Sequence, residues 1–139
     1  MAVETQFKWQ RMVYNCYKGW YASNGINSKF PVVIDGDKLV NETREQMEKL
    51  CEMLGLDVSN TRYSWDATKS FPNIAYEYFG GTIGRSTGVI RKEESVDAPV
   101  LDDEMKKWAE EWDDETASLM RRYTEKAMPD FQFLLARSI

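Results

Sequence analysis

Apolar residues recur at helical spacing near the start of the chain, at Trp9, Val13, Cys16, Tyr17 and Trp20, and predict an amphipathic helix over residues 3–21. Gly19 and then Ser23-Asn24-Gly25 supply its end. The period then changes. Pro31-Val32-Val33-Ile34 is a continuous β-branched run behind a proline, which suits a short buried strand, and Asp35-Gly36-Asp37 has turn chemistry. Asn41 stands where an N-cap is expected. Behind it Met47, Leu50, Cys51 and Leu54 form one apolar helical face, with Gly55 at the C′ position.

Residues 60–99 carry no clear period. Tyr63, Trp65, Phe71, Tyr76, Tyr78 and Phe79 precede or flank the run Gly80-Gly81-Thr82-Ile83-Gly84, a pattern expected of a functional loop or of a helix with a weak signal. The strongest periodicity follows. Leu101, Met105, Trp108, Trp112, Leu119 and Tyr123 keep four-three spacing and predict one long helix over residues 101–127. Asp102-Asp103-Glu104 suit the N-terminal end of its dipole, and Pro129 is its expected stop. Trp108 and Trp112 share this stripe, which assigns them to a core or to a dimer interface. Phe131, Leu134 and Leu135 make a last short turn or helix. No internal repeat or low-complexity segment interrupts the chain.

A length of 139 residues suggests a single domain that buries roughly two-thirds of its unfolded surface. The apolar share of 42% and five tryptophans supply its core, which argues against disorder throughout. Net charge is −5 but unevenly placed: residues 93–115 hold eleven carboxylates against Lys106 and Lys107. This run reads as a solvated linker and helix face. With no basic stripe to neutralise phosphates, nucleic acid is not an expected partner. There is no histidine, and Cys16 and Cys51 each fall in an apolar helical pattern without a CxxC, so neither a disulfide framework nor a zinc site is expected. Adjacent carboxylates such as Asp102 and Asp103 point in different directions on a helix and do not make a metal site. The N-terminal MAVETQFKWQ carries charges where a signal peptide needs an apolar run, and no stretch reaches transmembrane length. A cytoplasmic protein without a membrane span is the expectation.

Several short motifs share an order with a known family. "PVVIDGDKL" at residues 31–39 is followed by "MEKLCEMLGL" at 47–56, "YSW" at 63–65, "STG" at 86–88 and a terminal "MPDFQFLLARSI". In this order the chain resembles the C-terminal portion of the P-loop sulfotransferase-like family, in its small-molecule branch. The resemblance implies descent from an α/β fold in which a hydrophobic strand ends in a carboxylate and a Ser-Thr-Gly precedes the last long helix. Members of that family bind 3′-phosphoadenosine-5′-phosphosulfate on a glycine-rich loop, and many use a histidine as base. A P-loop works because successive backbone N–H groups and a helix N-terminus converge on phosphate oxygens. No such segment precedes Phe30, the stretch from Gly80 to Gly88 does not follow a clear strand, and histidine is absent. Sulfate transfer by this chain alone is therefore not expected, and no cofactor is assigned.

Asp35, just past the predicted strand, lies where open α/β sheets collect ligands; it is either a turn residue or an acid/base carboxylate raised by an apolar wall. Arg85, with Arg91 and Lys92, surrounds Ser86-Thr87-Gly88, which the family brings near its nucleotide; these cations are either solvated or bind a carboxylate or carbonyl oxygen. Trp20, Tyr21, Trp65, Tyr76 and Tyr78 either line a pocket for an apolar ligand or fill the core. With Ser86 they form the candidate substrate-binding set, and Asp35 and Arg85 the candidate catalytic pair.

The expected fold is mainly α with one or two short β-strands, a truncated remnant of a P-loop sulfotransferase-like α/β fold. A lone strand leaves its ladder groups unpaired, so residues 31–34 are expected to pair with a second chain or with a short strand inside residues 70–90. A homodimer follows. Two functions remain open. One is a cofactor-independent isomerase or cyclase acting on an apolar natural product. The other is a non-catalytic binding or assembly partner of a complete sulfotransferase-like protein. Aromatics around a closed cavity would favour the first and an exposed apolar face the second.

Overall fold

The computed structural model describes residues 7–90 and 99–139. Arg91, Lys92 and the first part of the acidic run lie outside the described residues. The protein is mainly helical, as its pattern predicts, and forms two compact units: residues 1–35 with 94–139, and residues 36–93.

In the first unit, helix α1 (Phe7–Ser23) forms where the N-terminal periodicity predicts one, but the predicted stripe of Trp9, Val13, Cys16, Tyr17 and Trp20 is exposed. Its end is closed by Asn24, whose side-chain amide donates to the Trp20 carbonyl at 2.8 Å, and by Gly25 at φ 65°. That positive φ is the conformation glycine adopts without steric cost. α1 packs on the C-terminal helix through rings: Phe7 lies 5.2 Å from Phe131, and Tyr14 meets Phe133 edge-on at 5.9 Å. Arg11 joins the same contact, pairing with Asp130 at 3.0 Å while its guanidinium covers Phe133 at 4.1 Å. Cys16, expected to be buried, is exposed on the other side of α1.

The long helix predicted over residues 101–127 is two helices, α5 (Leu101–Glu111) and α6 (Asp114–Leu135). Apolar spacing runs on across the junction, but capping breaks the backbone there. Asp113 is extended (φ −169°, ψ 170°) and its carboxylate accepts the Thr116 N–H at 2.6 Å, so a new helix starts behind it. Trp112 thereby leaves the stripe and stands exposed at the end of α5. α5 and α6 are tied by Arg121, which bonds Asp102 at 2.9 Å and Glu125 at 2.8 Å.

Pro129 does not stop the last helix; α6 continues through it to Leu135. A proline in a helix interior costs about 3 kcal/mol locally. Packing on both sides of the break offsets this: Asp130 pairs with Arg11, Phe131 and Phe133 meet α1 rings, and Leu134 is buried. Residues 31–34 shrink from a predicted strand to a single parallel bridge between Val33 and Ser138, with the Ile139 N–H donating to the Val33 carbonyl at 3.1 Å. Within the chain, the bridge partner is its own C-terminal segment rather than residues 70–90.

In the second unit, Asp37 lies within a short helix, α2 (Gly36–Asn41), rather than in a turn. Asn41 ends α2 instead of capping the next helix. α3 (Thr43–Leu54) then runs to Gly55, whose φ of 67° closes it as expected. Cys51 is buried beside the Thr61 hydroxyl, while Leu54 remains exposed. A short 3₁₀ turn (Val58–Asn60) follows. The irregular stretch contains a real helix, α4 (Ile74–Arg85), capped by the Asn73 side-chain Oδ1 accepting the Tyr76 N–H at 3.0 Å. An antiparallel bridge joins Ser64 to Gly88, and the Trp65 N–H donates to Thr87 at 3.1 Å.

Leu134→Ala should destabilise the protein by about 2–4 kcal/mol in urea unfolding, through lost burial and the cavity left behind. The Asp113 carboxyl is held below its ordinary value of 3.8, first by the backbone N–H of Thr116 and then by its hydroxyl. A depressed folded value stabilises above the unfolded value and is lost as pH falls through the folded one. Asp113→Ala should lower the melting temperature at neutral pH, and its difference from wild type should shrink as pH drops below 3.8.

Candidate functional site

The first unit carries an open groove of about 500 Å³. Its floor is the extended segment 31–34, and its walls are Trp9, Val13 and Tyr14 of α1 with Leu134 of α6. Helical spacing brings Trp9 and Val13 to one side of α1, and the bridge to Ser138 holds Val33 against α6. The lining is predominantly apolar, with Gln10 among its residues. This volume matches what small-molecule sites usually offer. None of the residues read from the sequence as substrate-binding lines it. The signal that would have found it was present: the i, i+4 pair Trp9 and Val13, together with the β-branched run.

Asp35 directly follows this floor, in the first unit. Arg85 belongs to the second, at the last turn of α4. There it closes an ion pair with Glu77 and places its guanidinium 5.1 Å over the Phe71 ring. Its immediate contacts in this unit are thus a carboxylate and an aromatic face. The Ser86 hydroxyl donates back to the Ile83 carbonyl at 2.6 Å, as a helix-end group does.

The aromatic candidates are distributed as follows. In the first unit Trp20 and Tyr21 stack edge-on at 5.2 Å, with Trp20 more than half exposed. In the second, Trp65 is exposed beside the bridge to residue 87, and Tyr76 and Tyr78 stand out from α4. None of these four exposed rings is enclosed by protein.

Two features of the second unit escaped the sequence pattern. Gln46, on α3, is fully buried and its amide has no hydrogen-bond partner among the described residues. A polar residue within a helical run gives no warning of such burial. Gly84 allows close approach: a Cβ there would meet the Phe71 ring at 2.7 Å. Among the described residues, no three acidic, cysteine or histidine side chains gather as a metal site would require, and no helix is long and apolar enough to cross a membrane.

Gly84→Ala should displace the Phe71 ring and destabilise the protein by about 1–3 kcal/mol, whereas Arg85→Met should stay within about 0.5 kcal/mol of wild type, both read from denaturant midpoints. Equal midpoints for the two variants would contradict this packing.

No protein-family model matches the chain, and no solved structure matches it. In sequence it is similar to the sulfotransferase ppzF of the fungus Metarhizium majus (strain ARSEF 297), at 25% identity over 143 aligned positions. That alignment takes in 97% of this chain but 42% of the relative. The chain is thus similar to a sulfotransferase along nearly all of its own length, while spanning less than half of that protein.

Proposed function

We propose that this chain acts as a binding or assembly module for a complete sulfotransferase-like protein, rather than transferring sulfate by itself. The observation that carries this reading is the exposure of Trp20, Trp65, Tyr76 and Tyr78, which an enzyme of apolar substrates would enclose. Trp9 and Val13 are also exposed, beside a groove whose floor is extended backbone. Apolar rims of this kind mark contact surfaces. The choice of partner class is supported by the sulfotransferase similarity, in a relative more than twice as long as the stretch it shares with this chain. A complete sulfotransferase-like chain would offer apolar surface to cover this groove. Binding of the sulfate donor then belongs to the partner.

A second reading has one observation in its favour, the size and apolar lining of the groove. In it, the chain is a cofactor-free isomerase or cyclase that selects an apolar natural product by shape. Asp35 would act as acid or base and Arg85 as oxyanion donor.

The two readings separate cleanly. Light scattering of the chain mixed with a complete sulfotransferase-like protein from its own source should reveal a stoichiometric complex. Val13→Asp should weaken that complex by roughly tenfold or more, because it puts a carboxylate in an apolar contact. Calorimetry of the chain alone with 3′-phosphoadenosine-5′-phosphate should give no heat at sub-millimolar concentration. Turnover of an apolar substrate by the isolated chain, reduced by about two orders of magnitude in both Asp35→Asn and Arg85→Met, would instead establish the second reading.

A further inference from the structure

Trp112 stands at the corner between α5 and α6 and is 64% exposed. Its neighbours in sequence are Glu110, Glu111, Asp113, Asp114 and Glu115, all of them exposed. The cations of these helices are engaged elsewhere. Lys106 pairs with Asp103, Lys107 with Glu104, and Arg121 with Asp102 and Glu125. Among the described residues none of the five carboxylates around Trp112 enters an ion pair, and Asp113 serves as the cap of α6. The corner is a large ring set in uncompensated negative charge.

The groove of the same unit has the opposite character. Its lining is apolar, and cations stand around it. The Lys8 ammonium lies 4.6 Å from the ring of Trp9, a wall residue, and the Lys18 ammonium 5.9 Å from that of Tyr14. Lys29 precedes the floor by two residues, and the Arg137 guanidinium covers Phe133, the neighbour of Leu134. None of these four pairs with a carboxylate among the described residues. Of the nearby carboxylates, Asp130 is held by Arg11, and Asp35 follows the floor.

We propose that Trp112 of one copy of this chain enters the groove of a second copy. The inference rests on the assembly reading in taking the groove as a protein-binding site, and it adds a control on that site: copies cover the groove until a sulfotransferase-like partner displaces them. Charge complementarity chooses the occupant. An acidic corner meets a basic rim, whereas corner on corner or groove on groove would set like charges face to face. The ring supplies the anchor, since a tryptophan seated in an apolar pocket is a frequent centre of binding energy. A patch that fits a pocket elsewhere on the same molecule makes a head-to-tail contact, so copies add one after another.

The test is sedimentation equilibrium of the full chain across the micromolar range. The mean mass of wild type should climb above the 16.2 kDa of one chain as concentration rises. Raising salt from about 0.05 to 0.5 M should weaken this association severalfold, because the charges around the contact are exposed. Trp112→Ala and Val13→Asp should each raise the dissociation constant roughly thirtyfold or more. Both should keep wild-type helicity by circular dichroism, as both side chains are more than half exposed. Mixed together, the two variants should form a one-to-one dimer and nothing larger, since one keeps the groove and the other keeps the ring. Only a contact between two different surfaces allows that rescue. Trp112→Ala should not weaken the complex with a sulfotransferase-like protein. A wild-type monomer throughout the range would overturn the inference, as would association that survives Trp112→Ala or ignores salt. A chain that stays monomeric yet forms the complex with a sulfotransferase-like protein removes this inference and leaves the assembly reading; self-association without that complex does the reverse.

Discussion

The first unit depends on one contact, the seating of α6 against α1 around Phe133. Two guanidiniums cover this ring, Arg11 at 4.1 Å and Arg137 at 3.6 Å, and Tyr14 meets it from its edge. Each cation–π contact contributes about 0.5–1 kcal/mol at a partly exposed site. Their joint effect is positional. Arg11 also holds Asp130, directly after Pro129, so the chain is fastened where its helical hydrogen bonding is broken. With α6 carried through to Leu135, the final residues reach Val33 and bridge to it. The groove floor is therefore held in place by a contact that begins on α1.

The second unit works by a different constraint, the glycine content of α4. Gly81 and Gly84 let Arg85 and Phe71 lie directly on the helix backbone. Glycine inside a helix costs roughly 0.5–1 kcal/mol against alanine, and at these two positions it permits a close approach that a Cβ would block. Ile74, Tyr76, Tyr78, Phe79 and Ile83 of the same helix are exposed, as is the Glu77–Arg85 ion pair.

These two arrangements bear on function together. A ligand-transforming enzyme gathers its aromatic walls, its acid/base group and its electrophile around one space. The first unit carries an apolar groove, and the second a helix with exposed rings. Surfaces of this kind are covered by other protein more economically than by small molecules, since each ring offers wide contact area at low entropic cost. The proposed assembly role rests on these exposed apolar groups and on the similarity to a longer sulfotransferase.

Local pattern was enough to locate α1 and α3, the glycine that closes α3, and the helical character of residues 101–127; in α3 burial of one face explains the period, whereas the periodic stripe of α1 is exposed. Predominance of helix over strand was legible for the same reason. The rest was decided by tertiary structure. Periodicity cannot see a backbone break when the apolar spacing runs on through it, so the Asp113 cap divided what looked like one helix. A proline signals a helix end only where no packing offsets its cost, and Phe131, Phe133 and Leu134 supply that packing. The β-branched run was visible, but its partner was not, since pairing with Ser138 depends on where α6 ends. For α4, the aromatics and glycines were all visible in the sequence. Which of them faced inward was set by contacts with Phe71 and Arg85, and a contact between distant positions leaves no period along the chain.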